Sequence, residues 1–278
     1  MVSKERFAQG MTFDGYVKFV GTPENLKREG SFGMPRKDYG EFLRKAFETA
    51  QLTDAQREAW QWIVSQPSGP AKMLVISEEW SSDCRREVPV LGRLAQAGGL
   101  EMRIFPRDGH AISSLAVPDP KESPNADLMA QFLRKRDGQT FQSIPIAAFY
   151  TKSFEHLYTY MEFPQIYRKD RVVAAIRAPK PGESKDDTAK RGLSDFFAFQ
   201  QTPFFRLYAN AAVDEIIAML HERIRVGSLC ATSPAVSTAS TPGSAAARRA
   251  SMRTMRAWGW RARTILPWAS PGRTRSCR

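Results

Sequence analysis

AKMLVISEEWSSDCRREVPVLGRLAQAGGLEMRIFP, residues 71–106, changes its hydrophobic period twice. The apolar run 71–77 lies between a Gly-Pro pair and two glutamates, and it predicts a buried strand. EEWSSDC, 78–84, predicts a turn, and 86–99 has helical spacing that ends on a pair of glycines. Apolar and polar side chains alternate over residues 100–106, which predicts a second strand. This order predicts a βαβ unit, in which a right-handed crossover joins two parallel strands.

A second pair of strands is predicted downstream. NADLMAQFLRKRDG, 125–138, predicts a helix that Asn125 starts and Gly138 stops. Residues 143–152 and 154–163 then predict two strands. Because only a short link separates them, we expect an antiparallel pair.

The region after the second pair of strands is harder to assign. Residues 164–202 are ambiguous: RVVAAIRA fits a strand or a helix, and PKPGESKDDTAKRG fits a polar connector. Residues 204–224 predict an amphipathic helix. Its expected apolar side consists of Leu207, Ala211, Ile217, Leu220 and Ile224.

The first seventy residues predict a helical extension. Pro35 can open a helix that runs through RKDYGEFLRKAFETA. Thr53 and Gln56 have the spacing of a capping box at the start of a second helix. We therefore divide the chain into a helical extension over 1–70, an α/β domain over 71–226 and a C-terminal tail over 227–278.

The positive charge of the chain is concentrated in that tail. The 278 residues carry a net charge of +12, but 1–226 holds 32 basic and 29 acidic residues. The tail, 227–278, holds nine arginines and no Lys, Asp or Glu. The body is therefore not expected to bind nucleic acid through its overall charge. The tail's composition predicts disorder and a non-native origin, such as a gene read out of frame, with an Arg/Trp segment that grips nucleic acid or a membrane as the alternative.

Cysteine content and hydropathy favour a cytoplasmic protein without a disulfide framework. The three cysteines, Cys84, Cys230 and Cys277, are few and scattered. No apolar run fits a secretory signal, and the longest, IPIAAFY at 144–150, falls far short of the roughly 20 residues of a membrane span.

Residues 73–151 resemble the thioredoxin fold. The resemblance rests on Trp80, Cys84 and Pro89 around a turn that opens a helix, and on Ile144-Pro145 before a later strand. It implies a thioredoxin-like mixed sheet flanked by helices, with a cis bond before Pro145 and that proline against the active site. The N-terminal helices and the EEW lead-in are similar to a bacterial group of thioredoxin-like proteins.

The turn departs from the family's Trp-Cys-x-x-Cys pattern at one decisive position. Ser81 stands where the resemblance places the attacking cysteine, and Cys84 stands at the resolving position. Serine ionises far above physiological pH, so two-thiol exchange at this turn is chemically excluded. The catalytic candidates are therefore Cys84 and Ser81, and the candidate binding residues are Trp80, Ser82, Asp83, Ile144 and Pro145.

Four interpretations of the turn are open. The cleft binds a peptide or protein partner without redox chemistry; or Cys84 alone reacts with glutathione, a peroxide or a partner's thiol. Alternatively Ser81 is an engineered or incidental substitution, or Cys84 is only a small core residue. The leading hypothesis is a binding or redox-accessory protein that lacks ordinary reductase activity; a pure interaction module that uses the groove between Trp80 and Pro145 is a further alternative. Client and oligomeric state are not predicted.

The other polar residues near the turn predict little chemistry. We expect Asp83 to cap the helix, and Arg85 and Arg86 to be exposed. His110, His156 and His221 are scattered, so neither a metal site nor a cofactor is predicted.

Overall fold

A four-stranded mixed sheet forms the centre of the protein. The computed structural model describes residues 2–31 and 35–231, and for 226–231 only the backbone. The sheet order is β2-β1-β5-β6, with β1 parallel to β2 and antiparallel to β5, and β5 antiparallel to β6. The strands are β1 Lys72–Ser77, β2 Glu101–Pro106, β5 Ile146–Tyr150 and β6 His156–Met161. The predicted α/β class and all four strands are confirmed.

The crossover between β1 and β2 is the helix α6, Ser82–Gly98. It begins four residues before the predicted helix, because the Ser81 side chain caps it and brings Ser82 into the first turn. At its other end Gly99 takes a left-handed conformation with φ 65°, which ends the helix as the glycine pair predicted. Pro89 lies inside the helix, as the eighth of its 17 residues.

The N-terminal helices pack on the same core as the sheet. Trp60 and Ile63 of α5 are buried, and the Trp60 indole donates to the Leu94 carbonyl of α6 at 2.8 Å. The Thr53–Gln56 capping box is confirmed. The helix predicted to open at Pro35 begins only at Gly40. The bounds are α1 Lys4–Ala8, α2 Phe13–Val20, α3 Pro23–Leu26, α4 Gly40–Thr49 and α5 Asp54–Val64.

The helix predicted over 125–138 is wrong beyond its first turns. A helix α7, Ala126–Met129, continues as one 3₁₀ turn to Phe132, and then a hairpin forms from β3, Arg134–Arg136, and β4, Gln139–Phe141. Asp137 and Gly138 connect the two strands with φ of 50° and 75°. Two residues with positive φ match the right-handed twist of a hairpin, so the Asp-Gly pair was a turn signal and not a helix stop.

Asn125 lies next to α7 but does not cap it. Its side-chain amide donates to the Pro106 carbonyl at 2.7 Å and its oxygen accepts from Arg6. The expected capping role is therefore wrong, because the amide instead connects the end of β2 to the N-terminal helix.

The ambiguous segment 164–202 is largely helical. After a 3₁₀ turn at Gln165–Tyr167, it forms α8, Lys169–Arg177, and α9, Lys185–Phe199. RVVAAIRA is therefore helix, and half of the expected polar connector belongs to α9.

The last described helix is α10, Pro203–Ala231. Its buried face consists of Phe205, Ala209, Ala212, Val213, Ile216, Leu220 and Ile224. Of the predicted apolar side, Leu220 and Ile224 are buried, Ala211 and Ile217 are half-buried, and Leu207 is wrong because it is 54% exposed. The helix continues through 227–231, where disorder was predicted; the rest of the predicted tail lies outside the described residues, and the three-part domain division stays a prediction. None of the described helices has the length and apolar character that crossing a membrane requires.

Candidate functional site

The WSSDC turn places Cys84 inside the protein. Ser81 is the N-cap of α6, and its hydroxyl accepts from the Cys84 amide at 3.5 Å. Cys84 is 1% exposed, and its Sγ accepts from the Glu78 amide at 3.4 Å. Burial raises the pKa of the Cys84 thiol to about 12. The thiol is therefore neutral at physiological pH, although it stands at the start of a helix.

A cleft of about 1620 Å³ opens beside the turn. It is lined by Trp80, Ser81, Ser82 and Asp83 on one side and by Ile144 on another. Further walls come from α4, from the β3–β4 hairpin and from α8, α9 and α10. The fold thus brings five of the seven predicted site residues to one cavity. Cys84 and Pro145 do not line it.

The Ile144–Pro145 peptide bond is cis. It immediately precedes β5, whose first residue, Ile146, pairs with Ile76 of β1. Since the WSSDC turn follows β1 directly, this pairing explains why the two segments border the same cleft.

Trp80 is held in place by residues that the sequence analysis did not single out. Its indole nitrogen donates to Asp108 Oδ2 at 3.1 Å, and the Arg107 guanidinium lies over its ring at 5.4 Å. Arg107 also donates to the Gln142 carbonyl at 2.8 Å. Arg107 and Asp108 directly follow β2. Because β2 is parallel to β1, their position at its carboxyl end could have indicated that they lie near the WSSDC turn.

A buried ionic cluster, the Glu78 cluster, lies behind the turn and comprises Arg28, Arg36, Glu78 and Glu79. Arg28 and Arg36 each donate to Glu78 at 2.7 Å, and Arg36 also donates to Glu79 at 2.8 Å. The Asp108 amide adds a third bond to Glu78 at 2.7 Å. Burial is the main influence on Glu78 and raises its pKa. Glu78 and Glu79 of the predicted turn therefore attach the N-terminal region to the end of β1 through ion pairs.

A second ionic cluster, the Arg86 cluster, borders the cleft and comprises Asp83, Arg86, Glu87, Glu162 and Lys169. Arg86 donates to Asp83 at 2.9 Å and to Glu87 at 2.7 Å. Lys169 contacts Asp83 and donates to Glu162 at 2.9 Å. Burial raises the pKa of Glu87 to about 7.

Three polar atoms at the Arg86 cluster form no hydrogen bond within the described residues: Arg86 Nη2, Glu87 Oε2 and the Tyr160 hydroxyl. In the Glu78 cluster Glu79 Oε2 also lacks a partner within the described residues, whereas both carboxylate oxygens of Glu78 are bonded.

Two expectations about the turn are corrected by these contacts. Asp83 is not the cap of α6, because Ser81 occupies that position and Asp83 is paired with cations. Arg85 and Arg86 are 8% and 5% exposed, not solvated. Arg85 donates to the carbonyls of Glu79 and Trp80 at 2.8 Å, and its guanidinium lies over the Tyr39 ring at 4.2 Å. The i, i+3 spacing of Asp83 and Arg86 was the one local signal of this pairing.

Among the described residues, no group of three or more His, Cys, Asp or Glu side chains could hold a metal ion. The three histidines lie on separate elements, and His156 bonds to Thr159 at 2.8 Å.

Comparison with known families identifies the domain. Residues 35–114, from the approach to α4 through the loop after β2, match the family model described as thioredoxin. The chain carries a thioredoxin-like domain. The match begins within the segment predicted as a separate extension and includes the WSSDC turn.

Two solved structures are similar to the thioredoxin-like chain. One is a protein of unknown function from Pseudomonas aeruginosa, at 17% identity, with a TM-score of 0.45, covering 80% of this chain and 99% of that chain. The other is an HIV epitope-scaffold, at 16% identity, with the same TM-score and the same coverage. No curated protein matches this chain.

Proposed function

We propose that the thioredoxin-like domain is a binding module whose cleft holds a segment of a partner protein, without dithiol–disulfide exchange. The observation that carries this proposal is the enclosure of Cys84 at 1% exposure. Disulfide exchange requires a thiolate that can approach the disulfide in line. A buried neutral thiol is not ionised and cannot make that approach. With a pKa of about 12, about one thiol in 10⁵ is ionised at neutral pH.

The same burial argues against chemistry by Cys84 alone. A cysteine that reacts with glutathione or a peroxide is accessible and has a lowered pKa. Here the Cys84 sulfur accepts from the Glu78 amide, and the Cys84 amide donates to the Ser81 hydroxyl. Burial raises the pKa of the Cys84 thiol. Cys84 acts as a core residue below the cleft.

The walls of the cleft support binding of a polypeptide segment. Phe42, Leu115, Phe141 and Phe197 line it and are between 38% and 48% exposed. Exposed apolar side chains grouped around one opening are typical of an interaction site. At about 1620 Å³, the cleft exceeds the roughly 300–1,000 Å³ of small-molecule sites.

The redox half of the proposal is tested by restoring a thiol at Ser81. The unmodified protein should not reduce insulin disulfides above the dithiothreitol background. Ser81→Cys creates a Cys-x-x-Cys pair with Cys84, and we expect measurable insulin reduction and a dithiothreitol-reducible disulfide. Ser82→Cys is the matched control, because it adds a thiol to the same turn at a spacing that does not reproduce the pair. Reduction by the unmodified protein that is lost in Cys84→Ala would overturn the proposal.

The binding half is tested by selecting ligands for the cleft. A random-peptide phage library is selected on the full chain, and recovered peptides are then tested against Phe141→Asp and Val117→Asp. Both residues are exposed, at 41% and 56%, but only Phe141 lines the cleft. We expect peptides whose binding is lost in Phe141→Asp and kept in Val117→Asp. Recovery of only those peptides that bind both variants equally would contradict a binding role for the cleft.

A further inference from the structure

The charge of the cleft differs from that of the rest of the body. Eight basic and two acidic side chains line it. Residues 1–226 hold 32 basic and 29 acidic residues, so the 24 basic and 27 acidic residues outside the cleft have a net charge of −3. Positive charge is therefore concentrated at one opening, where low-dielectric walls strengthen its attraction for anions.

Some of the charged residues of the cleft neutralise one another. Asp83 is bonded to Arg86 and Lys169, and Glu162 to Lys169 and Arg134. Arg107 is paired with Asp108. The positive charge that the cleft offers to a ligand therefore lies on other cations.

Several cations at the cleft lack an anionic partner. Lys37, Lys45 and Arg206 are exposed and form no ion pair within the described residues. Arg85 is 8% exposed and its hydrogen bonds within the described residues go to carbonyl oxygens and to an amide oxygen, not to a carboxylate. A desolvated guanidinium without a counter-ion is costly, and an incoming carboxylate would relieve that cost.

Apolar and cationic groups line the cleft together. Phe42 and Lys45 lie on α4, Phe197 lies on α9 and Arg206 lies on α10. A ligand that satisfies both kinds of group has carboxylates and apolar side chains in one short segment.

We propose that the cleft binds an acidic peptide segment that also carries apolar side chains, presented by a partner protein. This inference rests on the proposed function and adds the chemical class of the partner. A nucleic acid is a poorer fit, because it extends beyond the cleft and would meet the net negative remainder of the body.

The test uses the peptides from the phage selection. Those that need Phe141 should be net acidic and contain apolar residues. The most frequent one is labelled with fluorescein and titrated against the full chain by anisotropy at low salt. We expect Lys45→Glu/Arg206→Glu to weaken its binding by about 10-fold or more, since two favourable charge contacts become repulsive.

The matched control is Lys18→Glu/Lys152→Glu. These lysines are also exposed, form no ion pair within the described residues and do not line the cleft. The control has the same net charge as the cleft variant, and we expect it to change affinity less than about 2-fold. Circular dichroism melting of both variants establishes that they are folded.

Three results would overturn the inference. Peptides that need Phe141 but are neutral or basic would retain the proposed function and exclude an acidic partner. If peptide affinity fell equally in both double variants, the loss would come from net charge alone. A labelled single-stranded oligonucleotide that loses as much affinity as the peptide in the cleft variant would assign the cleft to nucleic acid. If no peptide needs Phe141, the proposed function itself fails.

Discussion

The two ionic clusters beside the WSSDC turn are built in different ways. In the Glu78 cluster, cations from residues 28 and 36 reach back to the end of β1, so the contacts connect distant parts of the chain. In the Arg86 cluster, three of the charged groups lie within two turns of α6, and Lys169 completes it at the edge of the cleft. The first cluster connects distant segments of the fold, whereas the second joins α6 to the start of α8 at the border of the cleft.

The largest expected effect tests the structural role of the Glu78 cluster. Arg36→Met removes a cation whose side chain is fully buried and leaves Glu78 and Glu79 with fewer partners. Breaking a buried pair at one partner costs about 3–5 kcal/mol. We expect a loss of that size in the free energy of unfolding, measured by urea denaturation.

The control for this change is Arg44→Met, an exposed arginine on α4 that forms no ion pair within the described residues. It should change stability by less than about 0.5 kcal/mol. A small loss in Arg36→Met, comparable with that control, would show that the cluster does not stabilise the fold.

The intermediate effect concerns pH and the Arg86 cluster. Because burial raises the pKa of Glu87 to about 7, the folded protein binds this proton more tightly than the unfolded chain. The stabilisation is fully present below the ordinary glutamate pKa of 4.5 and is lost as pH rises through about 7. Its size is on the order of 3 kcal/mol.

Glu87→Gln should remove this dependence. Arg86 lowers the pKa of Glu87 and Asp83 raises it, and both groups remain in the variant. Urea unfolding of both proteins between about pH 5 and 8 gives the difference directly, and contributions from Glu78 and His156 cancel in it. Parallel stability curves would mean that Glu87 does not titrate in this range.

The smallest expected effect is at Lys169, which is 19% exposed at its side chain. In Lys169→Met, Asp83 keeps Arg86 and Glu162 keeps Arg134, so no carboxylate is left alone. We expect a stability loss of about 1 kcal/mol by urea denaturation. Lys190→Met, on the exposed surface of α9, is the matched control, and a loss of the size expected for Arg36→Met would remove the distinction between the clusters.

The sequence was sufficient to predict the sheet and the βαβ unit, since strand and helix periods change sharply over 71–106. It was also sufficient to predict the thioredoxin-like turn and the candidate residues that share the cleft. It failed where contacts are long-range: Arg85 and Arg86 look like ordinary surface residues, but the guanidinium of Arg85 packs on Tyr39 and that of Arg86 packs on Tyr167 and Phe205. The prediction over 125–138 also followed local helix propensity, although the Asp-Gly pair at 137–138 indicated a hairpin turn.

One wall of the cleft is the β3–β4 hairpin, which pairs with no further strand in the part of the chain that the structure describes. Two strands alone are marginally stable in water, so this wall depends on side-chain contacts such as Arg134 with Glu162 and Thr140 with the Ala116 carbonyl. Its local opening therefore requires much less free energy than unfolding of the core. The binding proposed for the cleft would then need only a small local fluctuation of this wall, and ordering the hairpin around the bound segment would reduce the net binding free energy.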